Sequence, residues 1–221
     1  MPDYSTTLSR VEDYFDRSAT KVWERLTSDA PVSRIRQTVR EGRDQMRALM
    51  LSRLPYDLRG ARVLDAGCGA GQMTAELAAR GADVLAVDIS PALVKIARER
   101  LPAMLRGRVE FASGDMTADH GSFDHVIAMD SLIYYNTADI TAALTRLGAR
   151  TSGSVVFTVA PRTPFLMAFW SMGKLFPRSD RSPIMVPHAP SRLQQQCQGQ
   201  ISKVDRVSRG FYISECLEYR R

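Results

Sequence analysis

The feature that most constrains the fold of this chain is a glycine-rich segment, VLDAGCGAGQMT, at residues 63–74. Its apolar start suits an interior parallel strand, and the composition from Ala70 to Arg80 is helical. The glycines at positions 67, 69 and 71 let the backbone turn tightly and approach a ligand, whose polar groups can meet the N–H groups at the start of the helix. A dinucleotide fingerprint would need a glycine at position 72, where the chain has Gln72. The segment therefore predicts a strand, a ligand-binding turn and a helix.

The next predicted strand, residues 82–88, ends in an acid that narrows the choice of ligand. Asp88 lies about 20 positions beyond Gly67, the spacing at which a carboxylate accepts the ribose hydroxyls of a nucleoside. Ser90 and Pro91 then have the pattern of an N-cap followed by the first residue of a helix. Alone, Asp88 could equally be a solvated acid at the end of a strand. After the glycine loop, it predicts a nucleoside-binding α/β domain.

Length and composition are those of one globular domain with additions. The 221 residues are 44% hydrophobic and 24% charged, enough for a full core. Three cysteines without metal-ligand spacing suggest reduced thiols, no metal site and a cytoplasmic setting. Asp3, Glu12 and Asp13 interrupt any signal-peptide core, and no apolar run approaches the roughly 20 residues of a membrane helix. The net charge of +6 favours an anionic partner without identifying it.

Two predicted helices precede the first strand and form an N-terminal helical arm, residues 1–58, that we expect to act as a lid. Residues 5–28 repeat apolar side chains at helical intervals, and a second helix follows Pro31 with an apolar face from Ile35 to Met50. Five arginines of this second helix lie largely off that face, at positions 34, 36, 40, 43 and 47. Because acids are interleaved with them, we interpret them as a solvated surface.

Strands and helices continue to alternate through a second predicted domain, residues 59–221. Further strands are predicted at residues 108–112, 123–129, 154–160, 201–208 and 211–219, with a helix at 137–147. This order predicts an α/β fold, a Rossmann-like, seven-stranded, mostly parallel sheet with helices on both faces.

A helical insertion, residues 161–192, follows the fifth strand. Its middle, residues 165–172, is apolar almost all round, and the insertion has five basic residues against one acid. Such a segment could be an ordinary buried helix with a basic loop. It also fits a cover for a large apolar molecule that bears carboxylates.

The spacing of Asp65 and the three glycines resembles motif I of the methyltransferases that depend on S-adenosylmethionine (SAM). The resemblance implies SAM as the cofactor, with its ribose at Asp88. It also implies an adenine site, where Asp115 accepts from the exocyclic amino group and Met116 covers the ring. The cofactor-binding residues that it implies are Asp65, Gly67, Gly69, Asp88, Ile89, Asp115, Met116 and Asp130.

The segment after the fourth predicted strand, residues 130–135, can be compared with the residues that common classes of methyl acceptor require. Methylation of an exocyclic nitrogen typically uses a Pro-Pro-aromatic turn here, and the segment has no proline. Methylation of pyrimidine carbon 5 needs a cysteine nucleophile, and metal-assisted catechol methylation needs an Asp-Asn ligand pair; the sequence supplies neither. A nucleic-acid substrate would favour interleaved basic and aromatic residues, which the insertion supplies only loosely. All of these acceptors are therefore disfavoured.

Several patches together are similar to the magnesium protoporphyrin IX O-methyltransferases. They are residues 11–16 with Trp23, 35–37, 42–46, 65–69 with 88–90, and 130–135. The similarity covers nearly the whole chain. Its specificity rests on the arm and on residues 130–135, because the glycine motif is shared by SAM enzymes in general. Many family members have a histidine before the tyrosine of this last segment, where the present chain has Tyr134.

The family resemblance implies methyl transfer from SAM to a propionate carboxylate of magnesium protoporphyrin IX, giving the monomethyl ester in (bacterio)chlorophyll biosynthesis. A propionate titrates near the glutamate value of about 4.3, so it is ionised at neutral pH and needs no strong base. Alignment and removal of water are then the work of the enzyme. Tyr14 and Tyr134 are the candidate catalytic residues that orient the propionate, while basic residues hold the second one. Packing in the core is the alternative for Tyr14, and a rim position without a role is the alternative for Tyr134.

The resemblance also sets expectations for partners. It implies magnesium protoporphyrin IX as the ligand, with the metal belonging to the substrate, and the porphyrin-binding subunit of magnesium chelatase as a candidate partner. We expect no nucleic acid and at most a peripheral contact with a membrane. Two other functions remain open: SAM-dependent O-methylation of another apolar acid, and a SAM-binding protein without activity that assists a porphyrin-handling enzyme.

Overall fold

The computed structural model of the chain describes residues 4–16, 20, 27, 31–164, 166–167 and 185–221. The strands are β1 Arg62–Ala66, β2 Asp83–Asp88, β3 Val109–Ser113, β4 Phe123–Ala128, β5 Thr151–Pro161, β6 Pro187–His188, β7 Gln200–Arg209 and β8 Tyr212–Arg220. The α-helices are α1 Tyr4–Tyr14, α2 Arg34–Leu51, α3 Gln72–Ala79, α4 Pro91–Arg100, α5 Thr137–Gly148 and α6 Pro190–Gln196, and a 3₁₀ helix covers Ala103–Arg108.

One mixed sheet with the strand order β3-β2-β1-β4-β5-β8-β7 forms the centre of the molecule. The first five strands pair in parallel, and the hairpin of β7 and β8 adds two antiparallel strands beside β5. The predicted Rossmann-like, mostly parallel sheet is confirmed. The two-residue strand β6, which pairs with the end of β5, is an addition that the sequence pattern did not predict.

Neighbouring residues of each central strand point to opposite faces, as the pleat requires. Val63, Ile127 and Val156 pack on one face with α2 and α3, while their neighbours in sequence pack on the other face with α5. Because both faces are covered, these strands are apolar without alternation, which is why they could be recognised in the sequence. The order of connections reverses between β1 and β4, and this is where ligands collect in such sheets.

The described part of the N-terminal arm differs from the prediction in three respects. Helix α1 ends at Tyr14, and much of the predicted continuation to residue 28 lies outside the described residues. Ile35, predicted on the apolar face of α2, is 56% exposed. Arg43, interpreted as part of a solvated surface, is largely buried against Asp130. The interpretation was therefore wrong at that position.

Helix α2 begins at the N-cap Ser33 and packs against the terminal hairpin. Gly42 allows the close approach, because a Cβ there would lie 2.7 Å from the ring of Tyr212. Glycine inside a helix costs roughly 0.5–1 kcal/mol relative to alanine. The presence of Gly42 therefore indicates that packing of α2 against β8 stabilises the fold by more than this amount.

Of the insertion at residues 161–192, the structure describes both ends. The apolar middle at residues 165–172, with Phe169 and Trp170, lies almost wholly outside the described residues. The division into an arm of residues 1–58 and a domain of residues 59–221 stays a prediction. Within the described residues, none of the helices combines the length and the hydrophobicity needed to cross a bilayer.

Candidate active site

A cavity of about 100 Å³ lies at the carboxyl ends of β1, β2 and β4. Eight of the ten predicted site residues border it: Asp65, Gly67, Gly69, Asp88, Ile89, Met116, Asp130 and Tyr134. Tyr14 and Asp115 lie nearby without bordering it. The structure thus gathers residues that are far apart in sequence, and the roles assigned to them stay predictions.

The glycine turn forms the floor of the cavity, and all three of its glycines have positive φ. A Cβ at Gly67 would lie 2.3 Å from the Cβ of Ser131, and one at Gly71 would lie 2.9 Å from the Cβ of Ala97. A Cβ at Gly69 would meet no atom of the described residues within 4 Å. Gly67 and Gly71 are therefore required by packing, whereas Gly69 leaves room beside the cavity.

Two buried acids lie under this turn. Asp88 accepts hydrogen bonds from the amides of Gly69 at 2.8 Å and Ser90 at 2.9 Å, and burial raises its pKa. Asp65 accepts from the hydroxyl of Thr74 at 2.5 Å, and burial, with the nearby charge of Asp88, raises its pKa to about 7. A carboxylate has about four acceptor positions, so Asp88 has capacity left for the hydroxyls of a ligand.

The predicted adenine side is tied to helix α1. The hydroxyl of Tyr4 donates to Asp115 at 2.7 Å, and Thr117 donates to the same oxygen from its amide and its hydroxyl. The ring of Tyr4 stacks on Tyr135 with 5.1 Å between centroids. Burial raises the pKa of the Tyr4 phenol, which therefore remains a donor. Asp115 is thus already engaged by protein groups, and Tyr4 is a contact that the sequence pattern did not reveal.

Helix α1 and the residues just after it cover the cavity. Leu8, Val11 and Phe15 border it, and the hydroxyl of Ser90 donates to Asp16. The part of the arm that the structure describes therefore lies where a lid is predicted.

On the opposite side, Asp130 is held by residues from distant parts of the chain. It has a φ of 56°, unusual for a residue other than glycine. Its carboxylate accepts from Arg43 at 2.5 Å and from Tyr212 at 3.0 Å, and its amide donates to the hydroxyl of Thr158 at 2.7 Å. Burial and the charge of Asp130 raise the pKa of Tyr212. Since its carboxylate is engaged in this way, Asp130 acts first as an anchor of the segment that follows it.

Tyr134 borders the cavity, and burial, with the charge of Asp130, raises its pKa. The Phe15 ring lies 6.3 Å from the Tyr134 ring and 5.2 Å from the Tyr14 ring, both in edge geometry. The two predicted catalytic tyrosines are therefore linked through Phe15. A phenol with a raised pKa donates a hydrogen bond to a carboxylate and does not act as a base at neutral pH.

Arg43, Tyr212 and Tyr4 are the site residues that the sequence did not predict. Arg43 is one of five arginines spread around α2, and Tyr212 is an ordinary aromatic residue of a strand. Gly42 in the interior of α2 was the local sign of these contacts, because a glycine there indicates that another element packs closely against the helix. Among the described residues, no group of three or more His, Cys, Asp or Glu side chains could hold a metal ion.

Comparison with known proteins gives a consistent result. The family model described as "Magnesium-protoporphyrin IX methyltransferase C-terminus" matches residues 128–221, and a general methyltransferase-domain model matches residues 63–151. The magnesium-protoporphyrin O-methyltransferase of Rhodobacter capsulatus is 64% identical over 99% of this chain and 98% of its own length. That of Synechocystis sp. is 29% identical over 94% of both chains.

A solved structure is also similar. The crystal structure of the magnesium protoporphyrin IX methyltransferase from Synechocystis, with bound SAH, has a TM-score of 0.81 and 28% identity to this chain. The match covers 96% of this chain and 99% of the Synechocystis chain. A second crystal structure of the same Synechocystis protein, with bound SAM, has a TM-score of 0.78.

Proposed function

This chain belongs to the magnesium-protoporphyrin O-methyltransferase family, and we propose from that membership how its cavity performs the reaction. The protein is a SAM-dependent enzyme that methylates magnesium protoporphyrin IX in chlorophyll biosynthesis. The observation that carries the proposed mechanism is that one cavity joins the glycine turn to Tyr134. The reaction converts one propionate of the porphyrin into its monomethyl ester.

The described residues fit SAM. Gly69 leaves room beside the cavity, and Asp88 retains capacity for ribose hydroxyls. We assign the ribose to Asp88, the adenine to Asp115 and Met116, and support of the glycine turn to Asp65. When bound, SAM supplies a methyl group on a sulfonium.

The chemical step needs no proton transfer. The propionate is already ionised at neutral pH, so one of its oxygens forms a bond to the methyl carbon as the carbon–sulfur bond breaks and its electron pair stays on sulfur. Tyr134 is within the cavity and keeps its proton, so it can donate to the carboxylate and fix its direction. Tyr14 supports that position through Phe15. Alignment and exclusion of water by α1 then lower the barrier.

Delivery of the substrate is a further part of the proposal. The insertion at residues 161–192 is basic and apolar, which supports its role as a cover for the porphyrin. The porphyrin is delivered by the porphyrin-binding subunit of magnesium chelatase. At most the insertion makes peripheral contact with a membrane. Adding that subunit to the assay should lower the apparent KM for the porphyrin, and no change would contradict delivery by this partner.

The proposed function is tested by methyl transfer from labelled SAM to magnesium protoporphyrin. We expect a monomethyl ester, identified by mass, and a saturable absorbance change when the porphyrin is titrated without SAM. If another apolar acid is methylated and the porphyrin titration gives no absorbance change, O-methylation of that other acid is favoured. Binding of both ligands without any ester would favour a non-catalytic partner protein.

A further inference from the structure

A second cavity, of about 190 Å³, lies beyond the segment that carries Tyr134. Its polar lining comes from Asn136, Thr137, Arg162 and Arg192, with the buried His188 behind them. Met167 and Val186 contribute apolar surface. The cavity thus combines two guanidinium groups with an apolar wall.

The charge of this second cavity is uncompensated within its lining. Among the described residues, no acid borders it and no ion pair is formed by Arg162 or Arg192. The acid in the first turn of α5, Asp139, is hydrogen-bonded by Asn136 at 2.7 Å and is not part of the lining. Two arginines with no acid beside them in the described lining therefore border a space that an anion can enter.

Both arginines are carried by ordered backbone. The amide of Arg162 donates to the carbonyl of His188 at 3.0 Å, where β5 and β6 pair. The amide of Arg192 donates to the carbonyl of Ala189 at 3.0 Å at the start of α6. The two side chains thus start from fixed positions on neighbouring elements.

His188 joins the second cavity to the active site. Its Nε2 lies 2.9 Å from the carbonyl oxygen of Tyr135, which can only accept, so Nε2 carries the proton. Burial lowers the pKa of His188, so the ring is neutral at pH 7 and its Nδ1, 3.3 Å from the hydroxyl of Thr137, is the acceptor. A neutral, buried imidazole therefore fixes the backbone between the two cavities.

The two cavities are close enough for one substrate to reach both. Tyr134 and Tyr135 border the first cavity, and Asn136 and Thr137 border the second. Three residues span at most about 11 Å, even in a fully extended chain. The two propionates of a protoporphyrin are on neighbouring pyrrole rings, on the same edge of the macrocycle.

We propose that Arg162 and Arg192 form a carboxylate-binding site for the propionate that is not methylated. The inference rests on the proposed function and deepens it, because it names the residues that select one of two similar propionates. Guanidinium groups bind carboxylates through paired N–H donors in a fixed plane. With one propionate held there, the other is the one presented to Tyr134.

The test compares the double variant R162Q/R192Q with a control, K95Q/R106Q, that removes the same charge from α4 and from the 3₁₀ helix. All four side chains are exposed, so both proteins should fold, which melting temperatures can check. We expect R162Q/R192Q to raise the KM for magnesium protoporphyrin at least tenfold and to leave the Kd for SAM within twofold. The ester should then appear on both propionates, whereas the wild type should yield one regioisomer.

Three outcomes would count against these proposals in different ways. If the wild type forms no ester, the proposed function fails. If the wild type is active but R162Q/R192Q keeps its KM and regioisomer ratio, the carboxylate site is overturned. An equal rise in KM in K95Q/R106Q would also overturn it, because general attraction of an anion would then explain the effect. The single variants R162Q and R192Q allow the same measurements if the double variant does not fold.

Discussion

The cofactor side and the acceptor side of the active-site cavity are assembled in different ways. On the cofactor side, the amide of Gly69 and the carboxylate of Asp88 are 19 residues apart, and Thr74 and Asp65 are nine apart. On the acceptor side, Asp130 is held by Arg43 and Tyr212, which are 87 and 82 residues away. The glycine turn and its two acids are built within a single strand–helix–strand unit, whereas Asp130 depends on contacts across the whole chain.

Because the two sides are assembled differently, we expect one to control SAM affinity and the other to control stability and turnover. Contacts within one unit shape the local ligand pocket, so substitutions there should change SAM affinity. Contacts between distant segments hold the tertiary structure, so substitutions there should change stability and turnover while SAM still binds. Substitutions on each side of the cavity can therefore test whether affinity and stability are controlled separately.

The largest effect is expected at Gly69. In Gly69→Val, a residue with a branched side chain would have to adopt a φ of 51°, and its Cβ would project where no atom of the described part of the chain lies within 4 Å. We expect SAM binding to fall by at least a hundredfold in calorimetry, with a native far-UV circular dichroism spectrum. Normal affinity would mean that the turn does not hold the cofactor. Gly67→Ala is the contrasting control, since it should destabilise the fold by clashing with Ser131.

The next largest effect is expected at Arg43 and concerns stability. Arg43→Leu leaves the largely buried carboxylate of Asp130 without its ion-pair partner, which typically costs about 3 kcal/mol or more. Chemical denaturation should report that loss, and calorimetry should find SAM affinity within twofold of the wild type. The exposed Arg36→Leu on the same helix is the control. A larger effect on SAM affinity than on stability would break the division between the two sides.

Asp88→Ala should produce an intermediate effect on the cofactor side. Removing a charged acceptor costs on the order of 1.5–3 kcal/mol, so SAM affinity should fall roughly tenfold to a hundredfold. Porphyrin affinity, measured by absorbance titration, should stay nearly intact. An unchanged Kd for SAM would exclude Asp88 as the ribose ligand.

The smallest effect is expected at the two tyrosines. If each phenol donates to the propionate, as the resemblance implies, Tyr14→Phe and Tyr134→Phe each remove one neutral hydrogen bond and raise the barrier to methyl transfer by about 0.5–1.5 kcal/mol. Tyr14 lies within the arm that resembles the family, whereas Tyr134 stands where many family members have a histidine, so the resemblance predicts the larger loss at Tyr14. Of these two tyrosines it is Tyr134 that borders the cavity, so comparing the two kcat values tests that prediction. Equal and negligible losses would mean that other residues align the propionate.

The dependence of turnover and of SAM affinity on pH tests whether a histidine acts as a base and whether Asp65 titrates. Burial lowers the pKa of His125 and of His188, so neither should produce a limb near 6.5. Burial raises the pKa of Asp65 to about 7, and this acid loses its proton as pH rises through that value. SAM affinity measured against pH should therefore change with a midpoint near pH 7. That change should be absent in Asp65→Asn. A limb in turnover that a histidine substitution abolishes would overturn the mechanism without a base.

The same division explains how much could be predicted from the sequence. The glycine turn, Asp88 and the helix cap at Ser90 follow from short spacings, and the structure has each of these elements where it was predicted. The sheet followed from apolar runs separated by helical segments. Arg43 could not be distinguished from its four neighbouring arginines, because its burial depends on where α2 meets β8. Strand β6 was missed because two residues carry no periodicity.

The position of Tyr212 at the start of β8 has a consequence for the order in which the site can form. The segments that form the cofactor side are complete once residue 116 has been translated, whereas a partner of Asp130 is added only with the final strand. Because a domain generally folds as a unit, both sides of the cavity become stable together, after β8 has been made. A polypeptide that ends before β8 would lose a partner of Asp130 and also an interior strand of the sheet.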